Sequence, residues 1–388
     1  MYFVRFILLG IPFLSLFWWW WADRRLRRAG VLPRVALASG MLVLLGGFAW
    51  TVVGRMGDLE HEIPAWLYAL VLLWGIIFLP FLAVPSMVSW ALRMLGHQIV
   101  FRDDKNRRDP SRFWTRRRWL TTGLTTLPVL ATYGTAAWSL PRLPNFRIRR
   151  ITVSVPSLPN ALDGTRIAHV TDTHVGKFTR GKVLDAIVAA TNKLDADLVV
   201  FTGDLINDTS RDLPAATAMI NRMRGRFGVF LIEGNHDLFD GAEVFEDGVR
   251  SAGIRMLRNE SATVEIRGVA VQLLGIVWNH DEIKMAADVD TVAAMREPGA
   301  FPILMSHHPH AFEQAAQQGI PLTLAGHTHG GQLMLTPEFG AGSVMFRYWS
   351  GLYRKGSSSL VVSNGTGNWF PLRVNAPAEI LEITLRRA

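Results

Sequence analysis

Five short polar stretches in the second half of the chain carry side chains that could bind metal ions. They read DTH, GDLIND, GNHD, SHHPH and GHTHGG, and each comes directly after an apolar run that predicts a β-strand. Their carboxylate, amide and imidazole groups belong to Asp172, His174, Asp204, Asn235, His307, His327 and His329. Two adjacent divalent cations need about this many nitrogen and oxygen ligands, and such a pair can hold a phosphate and turn a shared water into a nucleophile. The pattern therefore predicts a dinuclear centre suited to phosphoester hydrolysis.

The spacing within these stretches indicates how the ligands would face the metals. DTH and GHTHGG each place two ligands two positions apart in the chain, and on an extended strand end both side chains would point to the same side. Asp204 follows Gly203 in a predicted tight turn and is the natural carboxylate to bridge two cations. Asn235 contributes a neutral amide oxygen, which limits the negative charge around the pair.

Taken in order across residues 172–329, the five stretches resemble the motifs D-x-H, G-D, G-N-H-D/E, H and G-H-x-H of the calcineurin-like metallophosphoesterases. Three longer runs are similar to the membrane-associated bacterial branch of that family, the YaeI/YkuE-like phosphodiesterases: GHTHGGQ, LPNALDGTRIAHVTDTH and SNGTGNWFPLRVNAPAEILEITL. This resemblance covers about residues 145–387. It implies a four-layer αββα sandwich with the metal sites at the ends of strands.

The resemblance also implies a role for each residue of the motifs. One cation would bind Asp172, His174, Asp204 and His329, and the second would bind Asp204, Asn235, His307 and His327. His236 would not bind metal; it would lie at the scissile phosphate as a proton donor or charge stabiliser. His307 is preferred to His308 because the family places its histidine two residues before a proline, here Pro309. At Asn207 the sequence departs from the family, which frequently has Asp there, so the contact that this Asp makes is not carried over.

Residues next to the motifs have interpretations of their own. His169, inside a predicted strand, is interpreted as a core group rather than a ligand, and Asp237 as a residue that orients a ligand or His236. The charged and aromatic residues after GHTHGG would either bind an anionic head group or form a solvated surface; they are Arg347, Tyr348, Tyr353, Arg354 and Lys355.

The composition divides the chain into a basic first part and a slightly acidic second part. Residues 1–150 carry 20 Lys and Arg against 7 Asp and Glu, a net charge of +13, whereas the rest of the chain has a net charge of −4. The positive charge therefore lies outside the half that carries the motifs, and no nucleic-acid partner is expected. The chain has no cysteine, which excludes disulfides and thiolate ligands.

Four runs in the first part are apolar and long enough to cross a bilayer, which takes about 20 residues. They cover residues 2–21, 35–54, 63–92 and 119–140, and the third contains three prolines that predict a tilt or kink. We therefore expect residues 1–144 to form a multi-span α-helical membrane region with about four transmembrane helices, where many relatives show one or two. Residues 145–388 would form the catalytic domain.

The charges of the connecting segments predict the orientation of this region. Residues 22–34 and 93–118 hold five and nine Lys or Arg, whereas residues 55–62 have one Arg and are otherwise acidic. Cytoplasmic loops collect Lys and Arg, which predicts that the catalytic domain lies outside the cytoplasm. Together with the resemblance to a bacterial branch of the family, this implies a multi-pass protein of the bacterial inner membrane with a periplasmic catalytic domain. The stretch TRRRWLT before the fourth run is either a twin-arginine export signal or an ordinary positive flank, and both give the same side. Four Arg residues between 142 and 150, just after the fourth run, weaken the difference in Lys and Arg content between the two sides of the membrane.

In the second half, apolar runs alternate with segments of helical periodicity, which is typical of a layered α/β fold. Predicted strands cover residues 151–155, 166–171, 197–202, 228–232, 269–276, 301–306, 321–325, 360–363 and 380–385, and predicted helices cover 182–194 and 214–224. Ligand groups in such folds collect at the carboxyl ends of the strands.

Three functions are compatible with these patterns. The leading hypothesis is a membrane-anchored dinuclear phosphoesterase, of phosphodiesterase type, that uses a metal-bridging hydroxide on an extracytoplasmic or lipid-linked phosphate ester. Its ligands fit Mn²⁺, Fe or Zn²⁺, and ligand type alone does not choose among them. The second is a UDP-2,3-diacylglucosamine pyrophosphatase of lipid A synthesis, which needs the site in the cytoplasm. The third is a non-catalytic membrane sensor that retains the fold. The partners expected are the phosphate ester and the lipid bilayer.

Overall fold

The computed structural model describes residues 2–27, 29–56, 63–100, 116–336 and 339–388. The chain divides into two compact units. The helical unit comprises residues 1–141 and 370–372, and the sheet unit comprises residues 142–369 and 373–388. All five motif stretches lie in the sheet unit.

The helical unit consists of long apolar helices. Their bounds are α1 (Tyr2–Leu26), α2 (Val31–Met56), α3 (Ala65–Leu73), α4 (Val84–Val100) and α5 (Arg116–Ser139). A π-helical stretch, Trp74–Ala83, joins α3 to α4 and contains Pro80. Proline has no backbone N–H and clashes with the carbonyl one turn earlier, and a widened turn accommodates it. The irregularity that the prolines of residues 63–92 predict therefore takes the form of a π-helix.

Tryptophans contribute to packing inside the helical unit. Trp18 is fully buried, and its ring lies edge-on to that of Trp74 with the centroids 5.3 Å apart. The Trp74 indole N–H donates to Ser15 Oγ at 2.9 Å. Trp20, in contrast, is exposed and lies under the guanidinium of Arg24. The run of four tryptophans thus serves both internal packing and the surface.

Among the described residues, two helices are long and apolar enough to cross a membrane. They are Val31–Gly54 and Ala65–Leu92, with mean hydropathies of 1.9 and 2.5. Length and composition alone indicate membrane association and do not establish several spans. The predicted spans at residues 2–21 and 119–140 lie in α1 and α5, and they stay predictions, as does the four-span region. The connecting segments at residues 57–62 and 101–115 lie outside the described residues.

Two six-stranded sheets form the frame of the sheet unit. The first has the order β1, β14, β2, β3, β4, β5, with bounds Phe146–Val155, Ala378–Arg387, Arg166–Val170, Leu198–Thr202, Val229–Ile232 and Arg255–Met256. The second has the order β12, β13, β9, β8, β7, β6, with bounds Gly351–Lys355, Ser358–Val362, Leu322–Ala325, Phe301–Met305, Val269–Gly275 and Glu260–Ile266. Neighbouring strands are parallel except in the pairs β14–β2, β12–β13 and β6–β7, so both sheets are mixed.

The two sheets pack face to face, and helices cover their outer faces. The core between the sheets joins Val200 and Phe230 of the first sheet to Leu273 and Met305 of the second. The outer face of the first sheet packs on α6 (Lys182–Lys193), α7 (Leu213–Ile220) and α8 (Ala242–Ser251). The outer face of the second packs on α9 (Glu282–Ala293) and α10 (Phe312–Gln317). Layers on both sides explain why every residue of the central strand β3 is buried, as its unbroken apolar run LVVFT predicts. The expected α/β sandwich is therefore confirmed.

Candidate metal centre

The carboxyl ends of five strands deliver the five motif stretches. In the first sheet, β2, β3 and β4 are parallel neighbours and lead into DTH, GDLIND and GNHD. In the second sheet, β8 and β9 are parallel neighbours and lead into SHHPH and GHTHGG. Parallel neighbours end at the same edge of a sheet, so the loops of each set lie side by side. The packed sheets then bring both sets to one place.

The ligand atoms form two groups that share Asp204. In each group the nitrogen and oxygen atoms lie within 4.8 Å of one another. The first group contains Asp172, His174, Asp204 and His329, and the second contains Asp204, His307 and His327. Oδ2 of Asp204 lies 3.5 Å from His174 Nε2 and 3.1 Å from His307 Nε2, so a single carboxylate reaches both groups. This arrangement suits two cations that share one bridging ligand.

In the first group, three side chains converge on a small volume. Nε2 of His329 lies 2.9 Å from Nε2 of His174 and 3.2 Å from Oδ1 of Asp172. His174 and Asp172 have no exposed surface, and His329 is 2% exposed. Two imidazole nitrogens and a carboxylate oxygen aimed at one buried point are a donor set that a divalent cation would complete.

Asn235 fits the second group as an additional oxygen ligand. Its Oδ1 atom is buried and has no hydrogen-bond partner among the described residues. The next residue, His236, donates its backbone N–H to Asp204 Oδ1 at 2.9 Å, which ties this loop to the shared carboxylate. A buried oxygen without a partner costs about 1–3 kcal/mol. A cation at Asp204 would supply the missing partner.

Five of the seven candidate ligands adopt left-handed backbone conformations. Their φ angles are 51° at Asp172, 46° at His174, 52° at Asp204, 70° at His327 and 50° at His329. This region costs an L-residue roughly 1–2 kcal/mol, and strain of this kind is concentrated at functional sites. Strand β2 ends at Val170, so the expectation that strand alternation aims Asp172 and His174 is wrong. Left-handed turns aim them instead.

His236 lies beside the ligand groups without belonging to either. Its ring is edge-on to that of His174, with the centroids 4.5 Å apart. Its Nδ1 atom lies 2.5 Å from the backbone carbonyl oxygen of Asn207, to which an Nδ1–H donates. The departure from the family at Asn207 therefore leaves this contact intact, because it uses the main chain and not the side chain.

Asp237 connects two of the loops that carry ligands. Its Oδ1 accepts a hydrogen bond from the backbone N–H of Ile206, and its Oδ2 accepts one from the N–H of Gly234, both at 2.9 Å. Burial, helped by the nearby charge of Asp204, raises the pKa of Asp237 well above its ordinary value. The residue thus holds the GDLIND and GNHD loops at a fixed separation, and its contacts are with backbone rather than with the His236 ring.

Opposing effects set the charge of the two ligand carboxylates. Burial acts to raise the pKa of Asp172, but the neighbouring His329 outweighs it and holds the value below the ordinary range. Burial opposes ionisation of Asp204 in the same way, and His307 with His236 lowers the pKa well below the ordinary value. Both side chains are therefore anionic at neutral pH, as metal binding requires.

The imidazoles of the site differ in their affinity for a proton. Burial lowers the pKa of His174 well below its ordinary value and that of His327 to about 3, so both rings are neutral and have a free lone pair. At His307 burial also acts to lower the pKa, but the carboxylate of Asp204 raises it to about 9. A cation at Asp204 would compete with that proton, so metal binding here would release it.

A segment that is not part of the five ligand stretches packs on the DTH loop. Residues 363–368, SNGTGN, lie against the DTH loop: Thr366 N–H donates to Thr171 O at 2.8 Å, and Gly367 N–H to Asp172 O at 2.9 Å. A Cβ atom at Gly365 would lie 2.8 Å from that of Asp172 and 3.0 Å from His329 Nδ1. Only glycine leaves room for this approach.

Arg373 ties the same segment to a ligand. Its Nη2 lies 2.9 Å from His329 Nδ1 and donates to Gly367 O at 2.6 Å, while Nη1 donates to Asn364 O at 2.9 Å. Burial lowers the pKa of Arg373 to about 10, which leaves it cationic at neutral pH. The signal in the sequence was the run SNGTGNWFPLRVNAPAEILEITL, whose similarity to relatives extended past the last ligand.

His169 is part of the core, as its position inside a strand predicted. It is fully buried in β2, and its Nε2 lies 2.8 Å from Thr202 Oγ1. Burial lowers its pKa to about 4, so the ring is neutral. It belongs to neither ligand group.

Comparison with known proteins agrees with this geometry. Residues 165–331 match the family model for calcineurin-like phosphoesterases. The transmembrane protein with metallophosphoesterase domain of Danio rerio is 32% identical over 274 residues, which cover 67% of this chain and 61% of the relative. The uncharacterized metallophosphoesterase YkuE of Bacillus subtilis is 29% identical over 61% of this chain and 84% of its own. Phosphodiesterase YaeI of Escherichia coli is 25% identical over 57% of this chain and 82% of its own.

The chain thus spans about three-fifths of the length of the Danio rerio relative. The names of these relatives are those of metallophosphoesterases and of a phosphodiesterase. The two ligand groups are of the kind that binds the divalent metals of such enzymes. Residues 165–331 thus carry a calcineurin-like metallophosphoesterase domain.

Proposed function

We propose that this protein is a membrane-anchored phosphodiesterase that depends on two divalent cations. The observation that carries the proposal is the pair of buried ligand groups that share Asp204, with His236 beside them. Five strained ligand conformations cost stability. A non-catalytic sensor would have no need to retain them, which disfavours that alternative.

Each residue of the centre has a proposed task. Asp172, His174, Asp204 and His329 would hold one cation, and Asp204, Asn235, His307 and His327 the other. When bound, the cations would supply positive charge against the phosphate and make a water nucleophilic at neutral pH. Nitrogen and oxygen ligands suit Mn²⁺, Fe or Zn²⁺. Nδ1–H of His236 donates to the Asn207 carbonyl, so Nε2 would donate a hydrogen bond to the phosphate or to the leaving oxygen from the imidazolium form of the ring.

The helical unit would anchor the enzyme in the bacterial inner membrane. Helices Val31–Gly54 and Ala65–Leu92 have the length and hydropathy of spans, and a relative from Danio rerio is named a transmembrane protein. The distribution of Lys and Arg among the connections supports a periplasmic position for the sheet unit. The natural substrate would then be a phosphate ester of the envelope, such as a lipid-linked one.

Metal dependence tests the proposal. The full chain, purified in detergent and supplied with Mn²⁺, should hydrolyse bis-p-nitrophenyl phosphate, lose this activity in EDTA and recover it when Mn²⁺ is restored. Undiminished hydrolysis after exhaustive chelation, with metal analysis showing no metal bound, would contradict the dinuclear mechanism. Faster cleavage of the monoester p-nitrophenyl phosphate under the same conditions would contradict the assignment as a diesterase.

A further inference from the structure

Exposed apolar side chains of the sheet unit are concentrated in one segment that follows the GHTHGG loop. Among the described residues of this unit, eight large apolar side chains are exposed, and four of them lie within residues 335–345. They are Leu335 at 73%, Phe339 at 54%, Val344 at 77% and Met345 at 70% exposure, and we call these four the apolar patch. The segment consists of β10 (Met334–Thr336), β11 (Phe339–Gly340) and the short helix α11 (Ala341–Met345). Grouped exposed apolar residues mark a binding surface, whereas isolated ones do not.

Backbone contacts fix this segment beside the candidate metal centre. The N–H of Ala341 donates to Leu333 O at 2.8 Å, and the N–H of Met334 donates to Val374 O at 2.9 Å. A Cβ atom at Gly331 would lie 2.0 Å from the backbone nitrogen of Gly342. Helix α11 therefore packs directly on the loop that carries His327 and His329.

Phe346 connects the apolar patch to the ligands. It follows Met345 directly in the chain and is half-buried. Its ring lies edge-on to those of His327 and His308, with centroids 5.5 and 6.0 Å apart. The ring of Trp278 also packs on His327, at 4.8 Å. Aromatic surface thus leads from the patch to the edge of the second ligand group.

Charged side chains of both signs lie next to the patch in the chain and on helices α9 and α10. Arg347 and Lys355 both pair with Glu313, the first at 2.7 Å. Arg354 precedes Lys355 on β12 and is exposed. Arg347 also interacts with the carboxylate of Glu282, so two cations, Arg347 and Lys355, stand against two carboxylates here. The metal centre, and not this surface, therefore favours an occupant with a negatively charged head group.

We propose that the substrate is an amphiphilic phosphodiester whose hydrocarbon chain lies on the apolar patch. This inference rests on the proposed function, because the phosphate of the same molecule would lie at the metal centre. The aromatic ring of Phe346 lies between the metal ligands and the apolar patch. This order suits a molecule whose anionic head group is joined to a hydrocarbon chain. A second copy of this chain would cover the patch equally well, but it would not explain the path along Phe346 to His327.

Two chromogenic diesters that differ only in chain length test this inference. The full chain in detergent with Mn²⁺ is assayed on p-nitrophenyl ethyl phosphate and p-nitrophenyl dodecyl phosphate. Burial of one methylene changes affinity by about fourfold, so partial burial of a dodecyl chain should raise kcat/KM by at least about tenfold over the ethyl ester. The test variant is Val344→Ser combined with Met345→Ser. The matched control is Ile283→Ser, because Ile283 is 82% exposed on α9, outside the patch.

The ratio of the two kcat/KM values decides the outcome. The patch variant should lose most of the preference for the dodecyl ester, and the Ile283 control should keep it, whatever each variant does to the absolute rate. Equal kcat/KM values for the two esters in the wild type would overturn the inference. So would a patch variant in which the ratio of the two kcat/KM values equals that of the wild type. So would a patch variant that converts a dimer into a monomer with the ratio unchanged, since the patch would then be a contact between copies. If the metal-loaded wild type cleaves neither ester, the proposed function fails and this inference with it.

Discussion

Asp204 and His236 are in direct contact, yet their contacts give them different tasks. His236 donates its backbone N–H to Asp204, and any residue except proline would supply this donor. Its imidazole lies outside both ligand groups. Asp204 places one carboxylate oxygen within reach of His174 and His307, so both groups lose a member without it. Binding of metal and chemistry on the substrate are thus separable by mutation.

His236→Ala should leave two metals bound and slow turnover by roughly 10²-fold, the usual effect of losing a donor that stabilises charge in the transition state. Asp204→Ala should lose metal, because the shared ligand is removed. Metal content by mass spectrometry and kcat on bis-p-nitrophenyl phosphate separate the two effects. His280→Ala is the matched control, since His280 is exposed and has no partner motif. A His236→Ala protein without metal would show that His236 is a ligand.

The identity of the candidate ligands was predictable, but the way they are aimed was not. Residue type and order were enough to propose Asp172, Asp204 and His329, because only a few side chains bind hard cations. The left-handed conformations at these positions were not readable, since φ depends on the surrounding loops more than on the residue itself. The contact of His236 with the carbonyl of Asn207 was not predictable either, because it depends on the conformation of the surrounding loops. Residue type does not indicate which main-chain groups form contacts, because every residue carries a backbone carbonyl.

At the scale of elements, strands with long apolar runs were predicted, whereas helix α9 and several short or exposed elements were missed. The run LVVFT of β3 is buried on both faces and is recognisable on its own. In strand β6 only Ile266 is buried and the other residues are exposed or half-buried, and in α8 only Phe245 and Val249 are buried. Neither was predicted. Burial of their apolar residues depends on the sheet and helices on which they pack, and these elements are distant in sequence.

The role of the segment at residues 363–368 also depends on contacts with residues that are distant in sequence. It contributes no ligand, but its backbone donates hydrogen bonds to Thr171 and Asp172, and Gly365 lies against Asp172 and His329. Gly365 has a φ of +79°, and Gly356 has a φ of +60° with nothing within 4 Å of its Cβ position. The two glycines thus share left-handed backbone strain and differ in what surrounds them.

Gly365→Ala should therefore do more than strain the backbone. Both Gly365→Ala and Gly356→Ala should lose about 1 kcal/mol of stability from the left-handed conformation. Only Gly365→Ala should displace Asp172 or His329, so its metal content should fall below two per chain. Thermal unfolding and metal analysis of the full chain are the measurements. Equal stability losses, with two metals retained in both proteins, would show that the segment does not support the centre.

At the scale of the whole molecule, charge and hydropathy are divided along the chain. Residues 1–150 have a net charge of +13 and contain the two helices that, in the described part of the chain, are both long and apolar enough to cross a membrane, whereas the rest has −4 and all the ligand stretches. Residues 22–34 and 93–118 are rich in Lys and Arg, and residues 55–62 are mostly acidic. Positively charged loops stay in the cytoplasm, which favours export of the sheet unit if the fourth apolar run also crosses. The Arg residues between 142 and 150 act against that crossing.

The side of the membrane on which the sheet unit lies can be measured directly. We predict that alkaline phosphatase fused after Ala388 is active in a bacterial host, because that enzyme matures only in an oxidising compartment. A green fluorescent protein fused at the same position should be dark unless it is exported in a folded state. A fusion of alkaline phosphatase within residues 101–115 should be inactive, since that connection is predicted to be cytoplasmic. If both alkaline phosphatase fusions are inactive and the fluorescent fusion is bright, the sheet unit is cytoplasmic. A cytoplasmic site would remove extracytoplasmic esters as substrates and favour a UDP-2,3-diacylglucosamine pyrophosphatase instead.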